Sequence, residues 1–292
     1  MIRSFVRALA WLVLPGVVQA QDVSRALRRF LPRGDTVVAI AFVQPATGRH
    51  AFLEADLRLH AASTMKVPVL VELARRVDAG ELRWEDRLPV ENRFHSIADS
   101  AGFSVDAGDD SDSLPYTWIG ASAAVADLAR HMIARSSNLS TNILIQRLGA
   151  DRVDATAHAL GADSITVLRG VEDGAAYRRG LNNTLTARAL GTLLVRILEG
   201  KAASAAGTQR ILSLLTEQEF TDGIPAGVPA GTLVANKTGW ITGITHDAAI
   251  VYPPTAPPYV LVILTRGFSE ADSAHARMRT ISAEVYRLAV RR

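Results

Sequence analysis

The chain has no cysteine among its 292 residues. Thiol catalysis is therefore excluded, and an exported protein of this kind has no disulfides, so its stability must come from a core. Metal patterns are also missing. The seven histidines form neither an H-E-x-x-H pair nor a His–Cys cluster, so a zinc hydrolase is not expected. The acidic stretch Asp106, Asp109, Asp110, Asp112 lacks the ligand spacing, central glycine and closing glutamate of an EF-hand loop, and reads as a solvated surface loop. After the first twenty residues no run is long and uncharged enough to span a membrane, and no internal repeat or long low-complexity segment occurs. Net charge is a mere +3 and the basic residues are scattered, which excludes a nucleic-acid-binding role.

Lysine is the most informative shortage. Of 32 basic residues only Lys66, Lys201 and Lys237 are lysines. Arginine serves wherever a generic positive charge suffices, so a retained lysine points to a property that arginine lacks. A buried lysine can lose its proton, whereas guanidinium effectively cannot.

What is present begins with a leader. Arg3 and Arg7 precede a short apolar run from Ala8 to Val18, which ends in Val18-Gln19-Ala20. A basic start, a short apolar stretch and a small residue before the break predict a secretory signal peptide over residues 1–20, cleaved after Ala20. The run is shorter than the roughly 20 residues a bilayer span requires. A periplasmic or secreted location follows, with no stable membrane span after cleavage.

Strand signals fall at Thr36–Val43, His50–Ala55, Thr232–Lys237, Asp247–Val251 and Tyr259–Thr265. Helical spacing of apolar residues marks Asp22–Leu31, Thr64–Val77, Ser122–Ala134, Thr141–Leu148, Arg152–Leu160, Thr186–Leu198, Gln209–Leu215 and a closing helix over Ser269–Ala289. Strands at both ends with helices between them predict an α+β fold. One antiparallel five-stranded sheet is built from both termini, with an all-helical lobe inserted. The expected boundaries are 21–62 plus 211–292 for the α/β lobe and 63–210 for the helical lobe, together one catalytic domain. A cleft between such lobes is a favoured ligand site.

Three short motifs carry chemistry. Ser63-Thr64-Met65-Lys66 opens a helix, so Ser63 and Lys66 share a face one turn apart. Free N–H groups and the helix dipole there favour developing negative charge. A serine hydroxyl needs a base to become a nucleophile, and a desolvated lysine qualifies. Ser136-Ser137-Asn138 follows one helix and precedes Asn142 in the next, bringing a hydroxyl and an amide close together. Lys237-Thr238-Gly239 ends a strand, whose edge offers backbone groups to a substrate that Gly239 allows to approach. Each motif alone is equally the mark of ordinary capping and turn chemistry.

In this order, S-x-x-K on a helix, S-x-N in a helical region and K-T-G on a late strand form the signature of penicillin-recognising serine enzymes. The sequence resembles the class A serine β-lactamase family across nearly the whole chain after the leader. Arg76-Val77-Asp78-Ala79-Gly80-Glu81-Leu82, Asn138 with Asn142, and Pro225-Ala226-Gly227-Val228-Pro229 look like family segments. The resemblance implies that Ser63 is acylated, Lys66 takes or relays its proton, and Ser136 delivers a proton to the leaving nitrogen. It implies that Asn138 binds a substrate amide, that Lys237 and Thr238 hold its carboxylate, and that Gly239 admits it. Backbone N–H groups of Ser63 and Trp240 would form the oxyanion hole. No metal or cofactor is implied.

Two departures stand out. Ser137 occupies a position that is usually aspartate in the family, where it is mostly structural. The loop before Asn182-Asn183 lacks the family's spacing of glutamate and asparagine, leaving Glu172 as candidate base for deacylation and Asp173 as second candidate. His246, near the carboxylate pocket, is a candidate substrate contact, or equally a strand-end histidine bonded to Asp247 or to a backbone group. The leading expectation is hydrolysis of a small β-lactam by a monomer. A DD-peptidase acting on peptidoglycan peptides, or a slowly deacylating β-lactam-binding domain, remains the alternative.

Overall fold

The computed structural model describes residues 23–32 and 34–291, so the expected leader lies outside the described residues. Five strands form one antiparallel sheet: β1 (Val37–Gln44), β2 (Arg49–Leu53), β3 (Leu233–Ile241), β4 (Ile244–Tyr252) and β5 (Tyr259–Arg266), in the order β2-β1-β5-β4-β3. The fold is α+β, as the spacing of strand and helix signals predicts. The two termini meet where Val37 pairs with Arg266 along β1 and β5.

Alternation along each strand divides the sheet into two buried faces. Val38, Ile40 and Phe42 of β1, with Leu261 and Ile263 of β5, face a core shared with Met278, Ile281 and Val285. Those three belong to the closing helix α9 (Ala271–Ala289), beside the helical turns of α1 (residues 23–28). Ala39 and Ala41, with Val260, Val262 and Leu264, face the second core. Helix α7 (Ala187–Leu198) packs on that face. It falls within 63–210, yet it lies on the sheet.

The helices beyond the sheet surround α2 (Lys66–Asp78), in which every residue from Lys66 to Ala74 is buried. Around it lie α3 (Val125–Ala134), α4 (Asn138–Leu148), α5 (Ala150–Ala159) and α8 (Ala205–Thr216). A five-residue helix, α6 (Gly174–Arg178), interrupts the stretch expected to be loop. Among the described residues no helix is long and apolar enough to cross a membrane.

The acidic loop departs from expectation. Asp106 and Asp109 are exposed, but Asp110 and Asp112 are buried, at 9% and 1% exposure. Asp112 bonds to His131 Nδ1 at 2.5 Å and accepts the N–H of Leu114. A buried carboxylate is tolerated only with such partners, and sequence spacing alone gives no sign of them.

Candidate active site

Ser63 lies in a single 3-10 turn, Ala62–Met65, that runs directly into α2, so Lys66 is the first α-helical residue. The turn is strained: Ala62 has φ 45°, in the left-handed region that non-glycine residues rarely adopt. His60 Nδ1 accepts the Ala62 N–H at 3.0 Å and fixes that conformation. Ser136 (φ 62°) and Glu172 (φ 60°) share the left-handed backbone, so three of the five such non-glycine residues among the described residues border one cavity. Clustered strain of this kind marks functional sites.

The open edge of β3 meets the Ser63 turn. A β-carbon at Gly239 would lie 2.8 Å from the backbone nitrogens of both Ser63 and Thr64, so only glycine permits the approach. This brings Trp240, the next residue, beside the Ser63 turn. Trp240 is 42% exposed and packs edge-on against Phe220.

Two buried lysines converge on one hydroxyl. Lys66 Nζ donates to Ser136 Oγ at 3.1 Å, to Ser136 O at 2.5 Å and to Asn138 Oδ1 at 2.9 Å. Lys237 Nζ donates to the same Ser136 Oγ at 3.0 Å and to Thr238 O at 2.9 Å. Burial pushes Lys66 down to about 7, against the pull of the Asp110 and Glu172 carboxylates. Lys237 is held well below its ordinary value, by burial first and by the neighbouring Lys66 second. Near neutral pH the pair therefore gives up a proton readily. Thr238 Oγ1 is buried without a hydrogen-bond partner among the described residues.

The turn carrying Ser136 links α3 to α4. Ser137 Oγ caps α4 by accepting the Ser140 N–H, and its own N–H donates to His131 O at 2.9 Å. Opposite lies the 169–183 loop. Asn142 grips it twice, accepting the Val171 N–H at 2.7 Å and donating to Val171 O at 3.0 Å. Arg169 reinforces the loop's neck by donating to Leu181 O and Asn182 Oδ1.

The loop's two acids differ. Glu172 stands at the rim and accepts from Asn138 Nδ2. Burial of its carboxyl group raises its pKa, against the hydrogen bonds that lower it. Asp173, the second candidate base, is corrected to a structural residue. Burial pushes its pKa up, but bonds from Ala176 N, Ser96 Oγ and Ile97 N outweigh it and hold the carboxylate ionised. All these donors fix its orientation as the cap of α6.

His246 is likewise corrected. It is 1% exposed, donates from Nε2 to His60 O at 2.9 Å and accepts the Thr265 N–H at Nδ1. Both nitrogens are committed to backbone rather than to Asp247, the backbone form of the strand-end alternative. Burial depresses its pKa to about 4. Because the unfolded imidazole protonates near 6.5 while the folded one resists until about 4, stability should fall as pH drops through that window. Urea unfolding at several pH values should show this slope, and His246→Leu should flatten it while lowering stability throughout. An unchanged slope would remove His246 as the responsible group.

Ser63, Ser136, Asn138, Glu172, Arg169 and Trp240 line one cavity of about 750 Å³. Lys237 and Thr238 lie behind its wall. Sequence reasoning missed His60, Arg169 and Asp110, none of which belongs to a short local motif.

A serine at a helix start, two buried lysines meeting on a second serine and a cavity above them define a serine acyl-transfer site. The family model described as "Beta-lactamase enzyme family" matches residues 22–289, and the chain belongs to that family. A β-lactamase of Streptomyces fradiae is 28% identical over 237 residues, covering 78% of this chain and 74% of that protein. A mutant of PBP-A, solved as an acyl-enzyme complex with penicillin-G, is 25% identical with a TM-score of 0.76, covering 93% of this chain and 96% of that one. An ancestral class A β-lactamase shares the fold at 24% identity, with a TM-score of 0.78 and coverage of 91% and 99%.

Proposed function

We propose that this protein hydrolyses the amide of β-lactams through a covalent ester on Ser63. The observation that carries the reading is the Ser136 hydroxyl held between Lys66 and Lys237, 3.1 and 3.0 Å from their ammonium nitrogens. Neutral Lys66 takes the Ser63 proton as Oγ attacks the lactam carbonyl. The oxygen becomes an oxyanion held by the N–H groups of Ser63 and Trp240. When the C–N bond breaks, Ser136 protonates the departing nitrogen and recovers its proton from the lysine pair. Lys237 and Thr238 receive the substrate carboxylate, and Asn138 its side-chain amide. Glu172 then activates the water that cleaves the ester, burial having raised its pKa and so made it a stronger base than an ordinary carboxylate.

The same reading takes the sheet unit (21–62 with 211–292) and the helical unit (63–210) as one monomeric catalytic domain. It is exported to the periplasm or beyond after cleavage at Ala20. Benzylpenicillin mixed with the protein, followed by absorbance and intact mass together, tests the chemistry. Repeated turnover that disappears in Ser63→Ala is expected, and Glu172→Gln should accumulate the ester on Ser63. A persistent single adduct on the parent protein would instead assign a slowly deacylating penicillin-binding enzyme. No adduct and no turnover would overturn the reading.

A further inference from the structure

The Ser136-Ser137-Asn138 turn is fixed from outside its own motif. Helix α4 begins at Asn138, so its first backbone N–H groups have no partner within the helix. Ser137 Oγ satisfies only the N–H of Ser140, at 3.2 Å. The N–H groups of Asn138 and Leu139 are answered by Asp110 Oδ2, at 2.8 and 3.1 Å, from a loop 28 residues earlier in the chain. The same oxygen accepts the Tyr116 hydroxyl at 2.9 Å and faces Ser137 Oγ at 3.4 Å. Asp110 Oδ1 accepts the Asp112 N–H at 3.1 Å, and Asp112 in turn holds His131, whose carbonyl accepts the Ser137 N–H. Both ends of the turn thus rest on one short acidic loop.

We propose that Asp110 is a positioning residue for the acyl-transfer reaction, holding Ser136 and Asn138 at Lys66 through the start of α4. The inference rests on the β-lactam reading above. Lys66 Nζ is oriented by Ser136 O, Ser136 Oγ and Asn138 Oδ1, all on this turn. A turn released from Asp110 leaves two helix-start amides unanswered and shifts all three acceptors together. The Asp110 charge also faces the lysine site along with Glu172, opposed by Lys237.

The test is a set of three variants, each measured for thermal midpoint and for kcat/KM on benzylpenicillin across pH. Asp110→Ala should lower the melting temperature and reduce kcat/KM roughly 100-fold, the scale of a one-ångström misplacement. Adding Ser137→Asp should restore most of both, because a carboxylate at the cap position can answer the same amides from within the motif. Asp110→Asn keeps the shape and one acceptor oxygen but removes the charge. It should lose less than tenfold and shift the acid limb of the pH profile to lower pH, since that charge favours protonated Lys66.

A folded Asp110→Ala within threefold of the parent, or no recovery of either property in the double variant, would overturn the proposal. Should Asp110→Ala fail to fold, the Asp110→Asn limb and the melting of the double variant decide it. If the parent itself turns over no penicillin, the functional reading falls. The melting recovery then still decides whether Asp110 holds the turn.

Discussion

Lys66→Arg should slow acylation of Ser63 by about 10²–10⁴-fold, the range that positioned general-base catalysis supplies. Lys66 is fully buried, and burial pushes its pKa down to about 7. Near neutrality a substantial fraction is neutral amine, able to accept the Ser63 proton. Arginine remains charged at every relevant pH and offers no lone pair. Its broad fork also does not match three acceptors arranged around a single ammonium nitrogen. A permanent cation there would depress the neighbouring Lys237 further, disturbing Ser136 as well. The parent should accordingly lose kcat/KM as pH falls below about 7, tenfold per unit once Lys66 is mostly protonated, and the residual rate of the variant should lack that limb. Stopped-flow acylation with benzylpenicillin, read by mass at quenched times, measures both. Acylation by Lys66→Arg within tenfold of the parent would remove Lys66 as the base.

The scarcity of lysine is what made this residue legible. In a chain that otherwise uses arginine, two of its three lysines are wholly buried and share one hydroxyl. The third, Lys201, is exposed and pairs with Glu199. Strands and helices were legible for a related reason: period-two and period-3.6 patterns are written locally, as along β5 and α9. Asp110 was not legible. Its partners at the start of α4 lie 27 to 29 positions away, and a cluster of aspartates between helices looks solvated until the fold closes around it. His246 failed in the opposite direction. Its place on β4 was readable, but which face of the strand it occupies depends on pairing with β5 and on His60, both distant in sequence. Asp173 shows the same limit, since Ser96 and Ile97 reach it from 76 to 77 residues earlier.

Gly239→Ala should reduce kcat on benzylpenicillin by about 10²–10³-fold, the loss associated with removing one oxyanion-hole donor. The added methyl would sit 2.8 Å from the nitrogens of both Ser63 and Thr64. These are backbone atoms at the start of a buried helix, so they cannot swing aside as a flexible side chain would. Either the methyl occupies the space in front of the Ser63 N–H, or β3 retreats and carries the Trp240 N–H with it. Both routes spoil the same pair of donors. The retreat is opposed by the β3–β4 ladder, in which Gly239 pairs with His246 and Trp240 with Thr245. The effect should therefore fall on the chemical step, where negative charge develops on the carbonyl oxygen. KM should change less than kcat, because the contacts proposed for Asn138, Lys237 and Thr238 involve none of the atoms that the added methyl meets. Single-turnover acylation rates together with steady-state constants separate the two. A variant that keeps kcat within threefold while KM rises would show that β3 contributes to binding and that the oxyanion is stabilised elsewhere.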